Sequence, residues 1–204
     1  MKHKSILLVF AFIARFAAIS SAQDSSKFYF TTAVGVFTPV SSFSKAYENS
    51  LALNSGIEYQ FSKHNFTQFV LDFNAVKYNQ QVKDENSSYL FQHTNSSVFL
   101  AGFNLGRNIS ISKSGKFFAS PYIGFGYANI GEPRLTLKNP GIIEQQVTRM
   151  TGIYAKQGAR IGYRTSSKVL QTLYVDVAYL SANIHVQDSR PTAFSFLVGT
   201  RFGF

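Results

Sequence analysis

The sequence predicts an all-β fold, an eight-stranded antiparallel up-and-down transmembrane β-barrel. Three observations predict it. Eight segments of about ten residues alternate bulky apolar side chains with small or polar ones, the period of a strand. The second face of these strands is rich in Gly, Ala, Asn and Tyr rather than the Lys and Glu that a water-facing wall would carry. The connections alternate between long, polar segments and short ones.

The N-terminus reads as an export leader over residues 1–22. Lys2, His3 and Lys4 form a basic start, Ile6 to Ala14 an apolar run interrupted by Arg15, and Ser20, Ser21 and Ala22 a small-residue exit before Gln23. Residues 23–204 then suit one domain, without a Pro/Ser-rich linker. The leader holds Lys2, Lys4 and Arg15, so three of the +10 charges leave with it. No compact basic cluster stands out, which argues against nucleic-acid binding. The chain has no Cys, so no disulfide holds it; a closed ladder with no free strand edge is a sufficient device. After the leader no apolar run reaches the length of a membrane-spanning helix.

The strands follow in order. Phe28–Phe37 places Phe28, Phe30, Val34 and Val36 on one face. Leu51–Phe61 opposes Leu53, Ile57 and Tyr59 to Asn54, Gly56 and Glu58. Phe66–Lys77 opposes Phe69, Leu71 and Phe73 to Asp72 and Asn74. Ser97–Leu105 opposes Phe99 and Phe103 to Gly102 and Asn104. Phe118–Ala128 opposes Ile123, Phe125 and Tyr127 to Tyr122, Gly124 and Gly126. Met150–Arg164 opposes Ile153, Ala159 and Ile161 to Lys156, Arg160 and Gly162. Gln157 falls on its apolar face, as a bulge or a slipped register would leave it. Leu173–Ala182 opposes Val175 and Val177 to Asp176 and Ala178. Ala193–Phe204 opposes Phe196, Val198 and Phe202 to Gly199 and Arg201.

The segments near 38–50, 79–96, 129–148 and 183–192 read as long polar loops, exemplified by Lys83-Asp84-Glu85-Asn86. Those near 62–65 and 165–168 read as tight turns, and 106–116 is intermediate. Phe28, Tyr59, Phe61, Phe117, Phe118, Tyr163 and Phe202 near strand ends read as an interfacial aromatic girdle. By strand parity Glu58, Asp72, Lys156, Arg160, Asp176 and Arg201 point inward as a lumen charge network. An eight-stranded interior is just wide enough for side chains to fill. Buried charges need partners.

The final residues, Gly199-Thr200-Arg201-Phe202-Gly203-Phe204, resemble the C-terminal signal of bacterial outer-membrane barrels: a Gly, two residues, an aromatic, one residue and a final aromatic. Leu197 stands where that signal has a polar residue. The resemblance implies that Gly199, Phe202 and Phe204 are read by the barrel assembly machinery. Pro121-Tyr122-Ile123-Gly124-Phe125-Gly126-Tyr127 is similar to a mid-barrel strand of the OmpA-like, porin-like outer-membrane β-barrel family. Over residues 27–204 the resemblance implies a bacterial outer-membrane location, contact with outer-membrane lipid and a monomeric barrel. It also implies a structural or surface-interaction role through loops that contact a surface ligand.

Other chemistries have weaker support. A small pore or transport component is the first alternative. A secreted lipocalin-like ligand carrier is the second, raised by Asn-x-Ser/Thr sequons at Asn65, Asn86, Asn95 and Asn108 and opposed by the absence of Trp and Cys. His185, Asp188 and Ser189 sit close in sequence, yet match no nucleophile motif, so an enzyme is not expected. The remaining His3, His64 and His93 are scattered, and no metal-ligand spacing or cofactor motif is present.

Overall fold

A computed structural model describes residues 27–78, 94–139, 141–167, 169–186 and 189–203. It contains nine strands and one short helix: β1 (Lys27–Pro39), α1 (Phe43–Ala46), β2 (Ser50–Gln60), β3 (Asn65–Tyr78), β4 (Thr94–Arg107), β5 (Ile109–Ser110), β6 (Phe117–Asn139), β7 (Ile142–Arg164), β8 (Leu170–Ala182) and β9 (Thr192–Gly203). Every neighbouring pair is antiparallel. The first and last strands pair from Tyr29↔Gly203 to Pro39↔Ala193, which closes eight long strands into a ring. Strand β5 is a two-residue continuation of β4 along β6. Pairing of β4 with β6 stops at Gly106↔Tyr122 and β5 resumes at Ile109↔Ala119. Pro121, which has no N–H to donate, falls at that break.

Strand parity decides which side chains meet what. The outer wall is apolar and bare: Ile123, Ile153 and Val198 are 65%, 64% and 62% exposed. A bare apolar wall of this kind is stable only against lipid, where the backbone is already satisfied by the closed ladder. A water-soluble barrel would bury this face, so the ligand-carrier reading has its walls inverted. Gln157 sits on the exposed face between Ile123 and Tyr179 with no register shift on either side. No bulge is needed there; the outer wall simply carries one amide.

Several boundaries differ from the sequence reading. Residues 129–148 are not a loop. Strands β6 and β7 pair on from Ile130↔Met150 to Asn139↔Ile142, turning at Gly141 with φ 93°. The barrel pairings of β4 to β6 begin at Val98↔Ile130 and of β7 to β8 at Tyr154↔Ala182. The hairpin therefore stands above the ring with open edges. Gly131, Glu132 and Pro133 at its base are all buried, so the alternation that marks the wall is lost there. The segment 38–50 is not a free polar loop either. Ser41 takes a left-handed φ of 56°, turning the chain into α1. Phe43 and Tyr47 are then buried over the mouth. Phe118 is not part of the outer girdle; it points inward over Gly162, whose added Cβ would lie 2.4 Å from the ring.

Girdle residues at the short-turn end pack in pairs on the outer wall: Phe28 with Tyr59 at 4.8 Å between centroids and Phe117 with Tyr163 at 5.1 Å. The leader and Phe204 lie outside the described residues, as do Lys83-Asp84-Glu85-Asn86, His93 and Asp188. Phe125 lies near the middle of β6 on the lipid face. Phe125→Arg is expected to lower folding stability by about 2–4 kcal/mol, read as a lower urea midpoint of folding into bilayer vesicles.

Candidate functional site: the lumen

The lumen has two halves of different chemistry. Its short-turn half is ionic. Its long-loop half is an apolar and aromatic plug. Both follow from inward positions of the same strands, and they meet near Asp72 and Lys156.

In the ionic half, six charged side chains come together, all buried. Arg160 is the hub. Its Nε donates to Asp176 Oδ2 at 2.8 Å and its Nη1 to Glu58 Oε2 at 3.2 Å, while Nη2 donates to Gln68 Oε1. The rings of Phe66, Tyr122 and Tyr174 lie 5.7, 5.1 and 5.2 Å from its guanidinium carbon. A planar, delocalised cation suits this cage better than a lysine ammonium would. Arg201 Nη1 donates to the second Glu58 oxygen at 2.8 Å, and its guanidinium lies 4.4 Å from the Tyr29 ring centre. Tyr122 Oη donates to Asp176 Oδ1 at 2.8 Å. Lys156 Nζ donates to Asp72 Oδ2 at 2.9 Å, and Asn54 Nδ2 to Asp72 Oδ1.

Register explains part of this set. Arg160 and Asp176 are cross-strand partners, as are Asn54 and Asp72. The bond between Glu58 on β2 and Arg160 on β7 is different, because these strands are opposite each other in the ring. It crosses the lumen. Three carboxylates face three cations, so this half of the interior is charge-balanced. The uncharged polar groups extend the lattice: Gln68 Nε2 donates to Thr31 Oγ1 at 2.7 Å, and Asn104 Nδ2 to Gln68 Oε1 at 3.1 Å.

Inward glycines are seats rather than gaps. A Cβ at Gly158 would lie 2.7 Å from the Tyr122 ring, and one at Gly106 would lie 2.3 Å from Phe66. One at Gly199 would lie 2.6 Å from Tyr174, so each of the three rings around Arg160 sits against a glycine on the paired strand. The sequence reading identified the charges but not these seats. The pairing of each inward aromatic with a cross-strand Gly was the available signal.

The plug was not legible as a site. Phe37, Val76, Tyr78, Val98, Ile130 and Tyr154 are buried inside the long-loop half. Phe43 and Tyr47 close over them. Tyr47 Oη donates to the Gly131 carbonyl at 2.8 Å, and its ring meets Tyr78 edge-on at 5.3 Å. Burial raises the pKa of the Tyr47 hydroxyl, and the Glu132 carboxylate adds to this. Ile184 and Val186 from the β8–β9 connection are buried in the same cluster. Interior cavities on the two sides of the network measure only about 10 Å³ each. That is space for about one water. One is lined by Asp72, Lys156 and Leu100, the other by Glu58, Arg160 and Tyr174.

The remaining candidates do not converge. His185 is exposed, and Ser189 Oγ donates to the Val186 carbonyl at 2.7 Å. Among the described residues no group of His, Asp and Glu is arranged to hold a metal. Gly199 lies against Ala33 and Tyr174, and Phe202 stacks with Phe30 at 6.5 Å.

A lipid-facing wall around a filled, charge-balanced lumen defines a small transmembrane β-barrel of the outer-membrane type. A known structure shares the fold. Neisserial surface protein A is 13% identical and aligns over 89% of this chain and 100% of its own, with a TM-score of 0.55. The Yersinia pestis outer membrane protein Ail, in a phospholipid bilayer nanodisc, is 12% identical over 86% of this chain and 99% of its own, with a TM-score of 0.45. De novo designed transmembrane β-barrels give 13% identity over 88% and 98%, with a TM-score of 0.40. No protein-family model matches the sequence, and no curated protein matches it.

Arg160→Ala would leave Asp176 and Glu58 without their shared cation. Breaking a buried pair from one side costs about 3–5 kcal/mol. The expected outcome is a matching drop in unfolding free energy in lipid vesicles, with Lys156→Met costing less because Asp72 keeps Asn54.

Proposed function

We propose that this chain is a sealed bacterial outer-membrane barrel that acts as a membrane-anchored scaffold. In this reading its long-loop end is presented at the cell surface to a ligand or partner. Residues 1–22 serve as the export leader, and residues 23–204 form the barrel domain. Gly199, Phe202 and Phe204 serve as the assembly signal. The mature protein works as a monomer, and the lumen residues Glu58, Asp72, Lys156, Arg160, Asp176 and Arg201 serve stability rather than transport or catalysis.

One observation carries this reading: the bare apolar wall encloses an interior filled from both ends. Cross-lumen ion pairs fill one half and Phe43, Tyr47 and Tyr78 the other. A conducting path needs a continuous wet channel, whereas the cavities beside the network hold about 10 Å³ each. Short turns belong at the periplasmic end of such barrels and long connections outside. That orientation puts the β6–β7 hairpin, α1 and the β8–β9 connection at the surface, where binding residues on loops are displayed by a rigid frame.

Two measurements test the reading. The purified protein in planar bilayers is expected to give no discrete conductance steps. Steps abolished by Arg160→Ala or Asp72→Ala would replace the scaffold with a pore. The chain has no Cys, so single substitutions give clean labelling sites. In intact cells Ser44→Cys in α1 is expected to react with an impermeant maleimide, and Ser114→Cys in the β5–β6 turn is not. The reverse pattern would invert the orientation.

A further inference from the structure

The charge of the barrel is segregated along its axis. The lumen balances three carboxylates against three cations. At the long-loop end the described cations Lys45, Lys77, Arg134, Arg149 and Arg190 are interspersed with Glu48, Glu132 and Glu144. At the short-turn rim stand Lys63, Arg107, Lys113, Lys116 and Arg164, and the rim segments 61–65, 107–117 and 164–170 contain no Asp or Glu.

These cations form one continuous arc. The β2–β3 turn meets the end of β4 through Asn108 N donating to the His64 carbonyl at 2.6 Å. The β5–β6 turn meets the end of β7 through Arg164 N donating to the Lys116 carbonyl at 2.8 Å, and Arg164 Nη1 donates to the Gly115 carbonyl at 3.1 Å. Lys63, Arg107, Lys113 and Lys116 are all exposed. The second observation is apolar. Ile111 and Val169, on the turns themselves, are 60% and 66% exposed, and Phe61 and Phe117 flank them on the outer wall. Cations alternating with bare aliphatic and aromatic groups, directly below a lipid-facing belt, match the depth at which headgroup phosphates lie.

We propose that the short-turn rim is a binding surface for the phosphate headgroups of anionic phospholipids in the adjoining leaflet. Lys63, Arg107, Lys113 and Lys116 supply the charge, and Ile111, Phe117 and Val169 insert beside the acyl boundary. The occupant is a lipid rather than a dissolved anion because the cations share their rim with apolar groups that water would not favour. The assignment of that leaflet to the periplasmic side rests on the orientation given above.

The test uses the mature, folded protein in bilayers of phosphatidylcholine containing spin-labelled phosphatidylglycerol or spin-labelled phosphatidylcholine. The protein-bound fraction of each label is read by electron paramagnetic resonance. The wild type is expected to favour phosphatidylglycerol by about fivefold or more, the factor one basic side chain supplies at an anionic surface. The preference should vanish in the Lys63→Gln, Arg107→Gln, Lys113→Gln, Lys116→Gln variant, which touches no barrel interior. It should survive in a control with Lys45, Lys77, Arg149 and Arg190 changed to Gln. Equal association of both lipids with the wild type, or equal loss in both variants, would overturn the proposal. So would rim-dependent binding of soluble cell-wall glycan fragments without lipid preference. The maleimide pattern of Ser44→Cys and Ser114→Cys reports orientation separately, so an inverted barrel and a lipid-indifferent rim give different results.

Discussion

The closing seam between β1 and β9 is the constraint on which the rest of this molecule depends. Inside a bilayer no water is available to an unpaired N–H or carbonyl, so an open sheet edge is not tolerated. Pairing from Tyr29↔Gly203 to Pro39↔Ala193 removes that edge. Once the ring is closed, each side chain has only two destinations, lipid or lumen. A one-residue slip at the seam would send Arg201 into lipid and Phe202 into the interior. The buried ion pairs are in this sense a check on register as well as a source of cohesion.

The lumen solves its packing problem with two unlike materials. At the short-turn end, charges fill the space and hold opposite walls together through Glu58 and Arg160. At the long-loop end, rings and aliphatic groups do the same work by contact, and α1 folds inward to complete them. Glycine makes the first arrangement possible, since the rings around Arg160 need bare backbone on the next strand. The apolar wall and the charged interior are usually opposed in a water-soluble fold; here the bilayer inverts the outer requirement and leaves the inner one unchanged.

Much of this was legible in the sequence because strand parity is insensitive to detail. Asp176 and Arg160 point inward whatever the exact strand ends, since their neighbours Val175, Val177, Ala159 and Ile161 take the opposite face. Their partners across the ring were not legible, because the Glu58–Arg160 contact depends on stagger summed over several strands. The plug was hidden for another reason. Phe43, Ala46 and Tyr47 lie in a short segment among Ser and Lys, with no period to reveal which face is buried. The β6–β7 extension was hidden by its own surroundings. Gly131, Pro133, Asn139 and Gly141 read as turn signals, and no apolar alternation contradicts them. Phe118 was misplaced because aromatics near strand ends suit either the girdle or the lumen, and only parity against Gly162 separates the two.

The β6–β7 hairpin has a mechanical consequence. From Gly131 to Asn139 the β6–β7 ladder continues beyond the last β4–β6 pair, and at roughly 3.3 Å of rise per residue this makes a rod of ~25–30 Å. The headgroup layer on one side of a bilayer is only about 5–8 Å thick. Even strongly tilted, the rod carries its tip clear of that layer, so an object touching Gly141 need not displace lipid. Strand β7 runs unbroken from that tip to Lys156 and Arg160. The hairpin tip and the buried ionic cluster are thus two ends of a single lever, anchored at the membrane's depth and free beyond it.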